Sequence, residues 1–327
     1  MITTSDFATL TIKLNEWFNE AASLAVENWI GQQLFDVSET NWQIYNTLIL
    51  NGAAKFERVA EGGQLPAGTI SEGDGANYTQ KRYGGRIGIS KDMRMFDRYD
   101  QIEEVAKDMT QYAFDRVDQS QADLILNGFT GTSYTDIYGN SQSNVTADAV
   151  VLFSASHTNN QNSNTARNLI RNAAGTANPV LDRAAIITAR KDAKINRDPN
   201  SANRPINLNR LIVSATNEDL AERTVYSSGV QGTPNVDLNP LKGKVNNILV
   251  WSRCDTRQND STDTSAYWFL ADDRLVKKTL KSPFAQRPML YAPAMVDDSK
   301  NWEYTIDSYY TIGLSYQFGI WGSTGVN

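Results

Sequence analysis

The sequence contains a single histidine, His157, at the head of a run of amides and hydroxyls that extends to Thr165. A histidine acts as a general base when an acid orients it and a reacting group lies within hydrogen-bond reach. The fold places such partners, so the sequence alone allows this role without predicting it. The patterns Gly-x-Ser-x-Gly, Gly-x-x-x-x-Gly-Lys-[Ser/Thr] and Gly-x-Gly-x-x-Gly, which mark serine nucleophiles, phosphate loops and dinucleotide sites, are absent.

Two pairs of adjacent carboxylates, Asp272-Asp273 and Asp297-Asp298, are the candidates for binding a hard cation. Adjacent side chains rarely converge on one point, and neither pair has the spacing of a calcium loop, so we interpret both as solvated turns. The lone cysteine, Cys254, excludes an internal disulfide and any multi-cysteine zinc site, and we interpret it as a small core residue. We therefore predict no catalytic, cofactor-binding or metal-binding residue.

The composition is that of a folded, acidic protein. Of its 327 residues 40% are hydrophobic, which argues against disorder. The net charge of −6 argues against a protein that binds duplex DNA, because such proteins normally carry a basic face. The first residues lack the pattern of a signal peptide, and no apolar stretch is long enough to span a bilayer. We expect a cytoplasmic product that does not enter a membrane.

Two segments have the apolar spacing of amphipathic helices. The first, from Phe7 to Ile30, predicts one or two helices at the N-terminus. The second is preceded by Asp100 and Glu103, which have the spacing of a capping box, and is ended by Asn127-Gly128. It predicts a helix of about 26 residues, roughly 40 Å long. Its apolar positions are Ile102, Val105, Ala106, Met109, Tyr112, Ala113, Val117 and Leu124.

Residues 46–95 have the pattern of a long hairpin. Two extended arms, Phe56–Val59 and Tyr78–Ser90, flank a polar, glycine-rich stretch at 61–75. The arms carry few large apolar side chains, and an isolated two-stranded hairpin is at best marginally stable in water. We therefore expect this hairpin to lie on a partner surface.

The remaining segments predict shorter elements of both kinds, and hence an α+β fold. Residues 128–148 are predicted as a loop or irregular hairpin, and 157–168 as a polar loop. The predicted strands are Val150–Phe153, Leu208–Ser214, Val245–Ser252, Ala266–Ala271 and the tail Trp302–Trp321, and the predicted helices are Asp182–Asn196 and Thr216–Tyr226. Aromatic residues of the tail could stack on bases or sugars, but their alternation favours packing in a core or interface. These residues are Trp302, Tyr304, Tyr309, Tyr310, Tyr316 and Trp321.

Several stretches, in this order, resemble the major capsid protein of tailed bacteriophages, which has the HK97-like fold. The segment Leu152-Phe-Ser-Ala-Ser-His157-Thr-Asn159 resembles the Leu-Phe-x-x-x-His-x-Asn signature of one branch of that family, with Thr158 where glycine is usual. Arg82–Asp97 resembles the return arm of the family's hairpin. Leu211–Arg223, Trp268–Asp273 and Asp307–Leu314 are similar to its later strands. The resemblance covers residues 50–320, and the first 45 residues match less well.

The resemblance implies a division of the chain and a structural role for His157. The implied segments are an N-terminal helical arm at 1–45, an extended hairpin loop at 46–98, a spine helix at 99–128, a first peripheral part at 129–204, an axial domain at 205–290 and a peripheral return at 291–327. In that family the His-Asn element is a structural loop after a short strand. His157 would then be a marker of the fold and not a catalytic base.

The function that the resemblance implies is self-assembly. Copies would form pentamers and hexamers that tile an icosahedral shell around packaged double-stranded DNA, without sequence-specific DNA binding. The shell would be the virion capsid, assembled in the cytoplasm of the bacterial host with a separate scaffold, a portal and cement proteins as partners. We predict no crosslink through Lys55 or Lys81. The candidates for ion pairs between subunits are Glu57, Arg58, Glu61, Glu72, Asp74, Lys81, Arg82 and Arg86.

Two other classes of function stay open at this point. The paired carboxylates could belong to a hydrolase, which would need a convergent acidic pocket. The chain could also be another shell or virion component, such as an encapsulin, a tail protein or a decoration protein.

Overall fold

The computed structural model describes residues 4–53, 58–65, 67, 69–96, 99–158, 165–196, 205–229, 238–291, 294–295 and 301–326. Its α-helices are α1 (Thr4–Asn28), α2 (Lys91–Met95), α3 (Tyr99–Leu126), α4 (Arg183–Ile195), α5 (Glu218–Tyr226) and α6 (Val276–Thr279). The strands are β1 (Ile44–Ala53), β2 (Thr69–Thr79), β3 (Lys81–Ile89), β4 (Ser133–Thr135), β5 (Ser141–Ser143), β6 (His157–Thr158), β7 (Thr165–Ala166), β8 (Arg210–Val213), β9 (Asn247–Val250), β10 (Trp268–Ala271), β11 (Leu280–Lys281), β12 (Phe284–Leu290), β13 (Ala294–Met295), β14 (Trp302–Tyr310), β15 (Gly313–Leu314) and β16 (Ile320–Ser323).

Helix α3 is the long helix that its apolar spacing predicts, but it begins at Tyr99, so Asp100, the predicted cap, lies inside the helix. It has 28 residues and is therefore roughly 42 Å long. Its inner face packs on α1 and on the three strands β3, β12 and β14, with Leu14, Ile102 and Tyr304 in one buried cluster. Two positions of the predicted apolar stripe face solvent instead, because Val105 is 45% and Tyr112 is 72% exposed.

A four-stranded sheet in the order β16-β10-β8-β9 forms the centre of the larger core. Successive residues of β8 point to opposite faces, so Leu211 and Val213 enter one buried cluster while Ile212 enters the other. Helices α4 and α5 cover the first face. The C-terminal turns of α3 cover the second, through Leu124, Ile125 and Leu126.

The hairpin is present, but its return arm differs from the predicted one. Strand β2 pairs with β1 from Ile44 opposite Thr79 to Ala53 opposite Thr69. Strand β3, which we predicted as the return arm, pairs instead with β14, about 220 residues further along the chain. Alternation predicts an extended segment but not its partner, and β3 buries Ile89 against the aromatic residues of β14.

Two further strand predictions need correction. The segment Val150–Phe153 contributes only an isolated bridge between Val151 and Val145, because the carbonyl of Leu152 bonds side chains instead of a neighbouring strand. The tail is not one strand. It is split into three strands: β14, in the sheet with β3 and β12, the short β15, which pairs with β11, and β16, in the four-stranded sheet.

The division of the chain into peripheral and axial domains stays a prediction. Strand β16 belongs to the predicted peripheral return, yet it pairs with β10 of the predicted axial segment. Helix α4, from the predicted first peripheral part, covers the same sheet. Four other predicted elements are confirmed. The structure contains the predicted helices as α1 (for Phe7–Ile30), α4 (for Asp182–Asn196) and α5 (for Thr216–Tyr226), and the irregular hairpin at 128–148 as the β4–β5 pair.

Candidate functional site: the histidine loop and the assembly surfaces

His157 lies in a buried cluster of hydrogen bonds. Its side chain has no exposed surface, and its Nδ1 lies 2.8 Å from Asp148 Oδ2. Its Nε2 lies 3.1 Å from the carbonyl oxygen of Leu152 and 3.2 Å from Asn168 Oδ1. The orientation of the Asn168 amide is fixed because its Nδ2 donates to the carbonyls of Leu152 and Gln317. Both ring nitrogens therefore face hydrogen-bond acceptors.

This arrangement ties a loop together and leaves no room for a substrate. The ring of His157 meets Phe318 edge-on at 5.7 Å, so packing covers the sides that the polar groups leave free. Burial raises the pKa of Asp148, but the hydrogen bond and charge of His157, together with hydrogen bonds from Thr146 and the backbone of Val150, hold that pKa below its usual value. The partner amide is Asn168; Asn159, the asparagine of the sequence motif, lies outside the described residues.

The acidic pair Asp272-Asp273 organises a turn. Asp272 accepts hydrogen bonds from the backbone amides of Asn207 and Arg274, both at 2.9 Å. Asp273 forms an ion pair with Arg210 at 2.7 Å. The second pair, at 297–298, lies outside the described residues. In the described part of the chain, no group of three or more His, Cys, Asp or Glu side chains could hold a metal ion.

Cys254 and most aromatic residues of the tail are core residues. Burial raises the pKa of the Cys254 thiol well above its usual value, which disfavours the reactive thiolate. Tyr304, Tyr310, Tyr316 and Trp321 are all buried, which confirms core packing for these tail positions. The ring of Tyr310 stacks on Tyr83 of β3 with centroids 4.5 Å apart.

Sequence reasoning missed a polar cluster on the buried side of α3. The carboxylate of Asp118 accepts hydrogen bonds from the backbone of Gly31 at 2.8 Å and from Trp251 Nε1 at 2.9 Å. Gln121 accepts from Trp29 Nε1 at 2.7 Å. Burial raises the pKa of Asp118. These bonds fix the end of α1 and the central sheet to one helix. Polar residues next to Val117 on the apolar stripe were the available signal.

Three of the predicted intersubunit ion-pair residues already have partners within the chain. Arg82 pairs with Asp307 at 2.6 Å, Arg86 pairs with Glu303 at 3.3 Å, and Lys81 donates to Gln142 at 3.0 Å. Glu57 lies outside the described residues. Arg58, Glu61 and Glu72 are exposed and Asp74 is half-buried, so these stay candidates for contacts between subunits.

The hairpin and the segment before it expose large apolar side chains. Trp42 is 76%, Leu48 51% and Leu65 80% exposed. The base of the hairpin is anchored by Tyr78, whose hydroxyl donates to the carbonyl of Leu314 at 2.5 Å. An anchored base with apolar groups beyond it is typical of an element that packs on another molecule. No helix in the described ranges is long and apolar enough to cross a membrane.

Comparisons with known proteins identify the family. A family model described as "Phage capsid protein" matches residues 74–320, which is more than half of the chain. The fold is similar to that in the capsid structure of the cyanophage P-SCSP1u, with a TM-score of 0.54 and 13% identity over 89% of this chain and 86% of that one. It is also similar to a procapsid chain of bacteriophage JBD30, with a TM-score of 0.52 and 13% identity over 100% of this chain and 77% of that one. No curated protein sequence matches.

The family match overturns the alternative of a carboxylate-based hydrolase, and the structural likeness confirms the predicted HK97-like, α+β fold. The chain therefore belongs to the phage capsid protein family and is a structural protein of the virus shell, not an enzyme.

Proposed function

We propose that this capsid protein is the major subunit of an icosahedral shell. Copies gather into pentamers and hexamers, and these rings tile a container for the packaged double-stranded DNA of a tailed phage. The net charge of −6 fits a wall that holds DNA without adhering to it, because Lys and Arg contacts to phosphate drive non-specific binding.

The observation that carries the proposal is the hairpin. Strands β1 and β2 pair only with each other in the described sheets, and they have 10 and 11 residues. A two-stranded hairpin is marginal alone in water. The side chains of Ile44 and Leu48 in this hairpin are each 51% exposed. A neighbouring subunit that covers this hairpin would bury those side chains, and many such modest contacts add up to a stable shell.

The proposal includes the partners and setting of assembly. The shell is assembled in the bacterial host cytoplasm with a separate scaffold, and a portal and cement proteins complete it. The DNA is enclosed without sequence-specific contacts, and no membrane takes part.

The test replaces exposed apolar residues of the hairpin. The double variant L48S/L65S is expressed with the neighbouring virion genes beside the unchanged chain, and both are compared by sedimentation and negative-stain electron microscopy. We expect shells from the unchanged chain. From the variant we expect folded, unassembled subunits, because the covered apolar area is lost.

A matched control makes the same chemical change outside the hairpin. Val180 and Val326 are 47% and 64% exposed, and V180S/V326S should assemble normally. Circular dichroism separates loss of assembly from loss of folding. Shells formed by L48S/L65S in wild-type yield would contradict the role given to the hairpin, and an unchanged chain that never forms closed particles would contradict the proposed function.

A further inference from the structure

A groove of about 590 Å³ lies between α4 and the turn that precedes β9. Helix α4 contributes Ile187, Lys191, Lys194 and Ile195, which follow the i, i+4, i+7, i+8 spacing of one helical stripe. Lys244 lies on the facing turn. Of the described residues that line the groove, four are cationic and none is acidic. The groove is therefore strongly basic in a chain whose net charge is −6.

The fourth cation, Arg190, donates its hydrogen bonds to carbonyl and amide oxygens and to no carboxylate of the described residues. Its guanidinium donates to the carbonyls of Leu208 and Lys244, and burial lowers its pKa. The acid on the same helix, Asp192, is bonded to Arg171 at 2.7 Å and does not line the groove. Among the described lining residues, no acidic side chain balances the positive charge of the groove.

The groove also exposes apolar surface. Ile187 is 40% and Ile195 is 66% exposed. A nucleic-acid phosphate backbone is charged and does not bury apolar side chains, whereas an amphipathic protein segment does. The chemistry that fits is a helix face with carboxylates and an apolar residue.

Helix α5 presents such a face. Glu218, Glu222 and Tyr226 follow one another at steps of four residues and are all exposed. The neighbouring Asp219 pairs with Arg223, so that cation is occupied within the helix. The opposite side of α5 is fixed in the core, because Ala221 and Val225 have no exposed surface.

The two surfaces belong to fixed elements of one core. Helices α4 and α5 both pack in the cluster that contains Leu211 and Val213. Because α5 is held there, its outer face cannot enter the groove of its own chain, but it can enter the groove of another copy. A contact between two different surfaces of identical subunits propagates from copy to copy, and it closes into a ring when the rotation allows.

We propose that the acidic face of α5 (Glu218, Glu222, Tyr226) docks into the basic groove of the next copy (Ile187, Lys191, Lys194, Ile195, Lys244) around each capsomer ring. This inference rests on the proposed function and names one contact that builds the ring. The carboxylates meet the lysines, and Tyr226 covers the exposed isoleucines.

The test is a charge swap in the full chain, expressed with the same virion genes. K191E/K194E alone and E218K/E222K alone should each lower the yield of rings and shells more than about tenfold, because each places like charges together at the contact. The combined variant carries all four changes and restores opposite charges. It should recover assembly to within a few fold of the unchanged chain.

The matched control is K277E/K278E, which makes the same charge change on α6. That helix packs on the other face of the sheet, through Val276. This control should assemble normally, and circular dichroism on every variant separates misfolding from loss of contact.

Three results would overturn the inference. The first is that each single-surface variant assembles like the unchanged chain. The second is that the combined variant fails to recover assembly. The third is that K191E/K194E forms normal shells that hold less DNA, which would assign the groove to nucleic acid. If the unchanged chain forms shells in the same experiment, these results leave the proposed function standing. An unchanged chain without rings would overturn both.

Discussion

The buried pair of His157 and Asp148 gives the sharpest prediction about the stability of the fold. The substitution H157F keeps a ring against Phe318 but removes both nitrogens. Asp148 then keeps a carboxylate, on a side chain that is 1% exposed, without the imidazole partner at Oδ2, although Thr146 Oγ1 and the backbone amide of Val150 still donate to its Oδ1. The carbonyl of Leu152 and the Asn168 amide also lose the Nε2 contact.

The expected magnitude follows from the burial of the partner that is left behind. Removing one member of a buried ion pair costs about 3–5 kcal/mol, and most of that is the cost of an uncompensated buried charge. The free energy of unfolding of the unassembled chain should fall by that amount in urea titrations. The double variant H157F/D148L removes the stranded charge, so it should be more stable than H157F alone.

The cycle of H157F, D148L and the double variant measures the coupling directly. The control W42F changes a side chain that is 76% exposed, and its effect should stay within about 0.5 kcal/mol. A loss below about 1 kcal/mol for H157F, or strict additivity of the two substitutions, would refute the assignment of His157 as the centre of a structural cluster.

Three other predictions concern single groups. The pKa of Asp148 is lowered in the folded state, so its contribution to stability is present above its ordinary pKa of 3.8 and is lost as pH falls below that value through the folded-state pKa. D148N should therefore flatten the acid limb of the stability–pH curve. An unchanged acid limb would contradict this. A Cβ at Gly31 would collide with the Gln121 side chain, so G31A should destabilise the chain by about 1–3 kcal/mol in urea titrations. The control G88A places a Cβ where no atom lies within 4 Å and φ is not positive, so it should show no loss from a packing collision. Equal, small losses would argue against the polar cluster on α3. Y78F removes the hydroxyl that donates to the carbonyl of Leu314. Burial raises the pKa of Tyr78 to about 12, so this donor is present throughout the neutral range, and its loss should accelerate amide hydrogen exchange in β2 by a factor of about 2–12. Unchanged protection would show that the bond does not anchor the hairpin.

Local signals in the sequence predicted the helices well. Helix α3 has apolar spacing along its length and Asn127-Gly128 just after its end, and each of these signals acts between residues that are close in the chain. The predicted cap, Asp100, was misplaced by one residue, because the helix begins at Tyr99. The exposure of Val105 and Tyr112 was not predictable, because spacing defines a stripe but does not say how wide the covering elements are.

Strand partners were the part that the sequence did not reveal. The alternation in β3 fits pairing with either neighbour, and its actual partner β14 is distant along the chain. The same limit applies to His157. The motif identified it as structural, but Asn168 and the carbonyl of Gln317 reach the cluster only through the fold. Asp118 was missed for a related reason. Its position next to Val117 was a weak local signal, but its donors, the backbone of Gly31 and Trp251 Nε1, reach it only through the fold.

The central claim is that this chain builds a closed shell of rings, and the most direct measurement is a cryo-electron microscopy reconstruction of particles made from the unchanged chain and its virion partners. We predict icosahedral particles with pentamers and hexamers, in which the β1–β2 hairpin of each subunit lies on a neighbour and Leu48 and Leu65 are covered. Helical tubes, open threefold assemblies or particles with uncovered hairpins would contradict it.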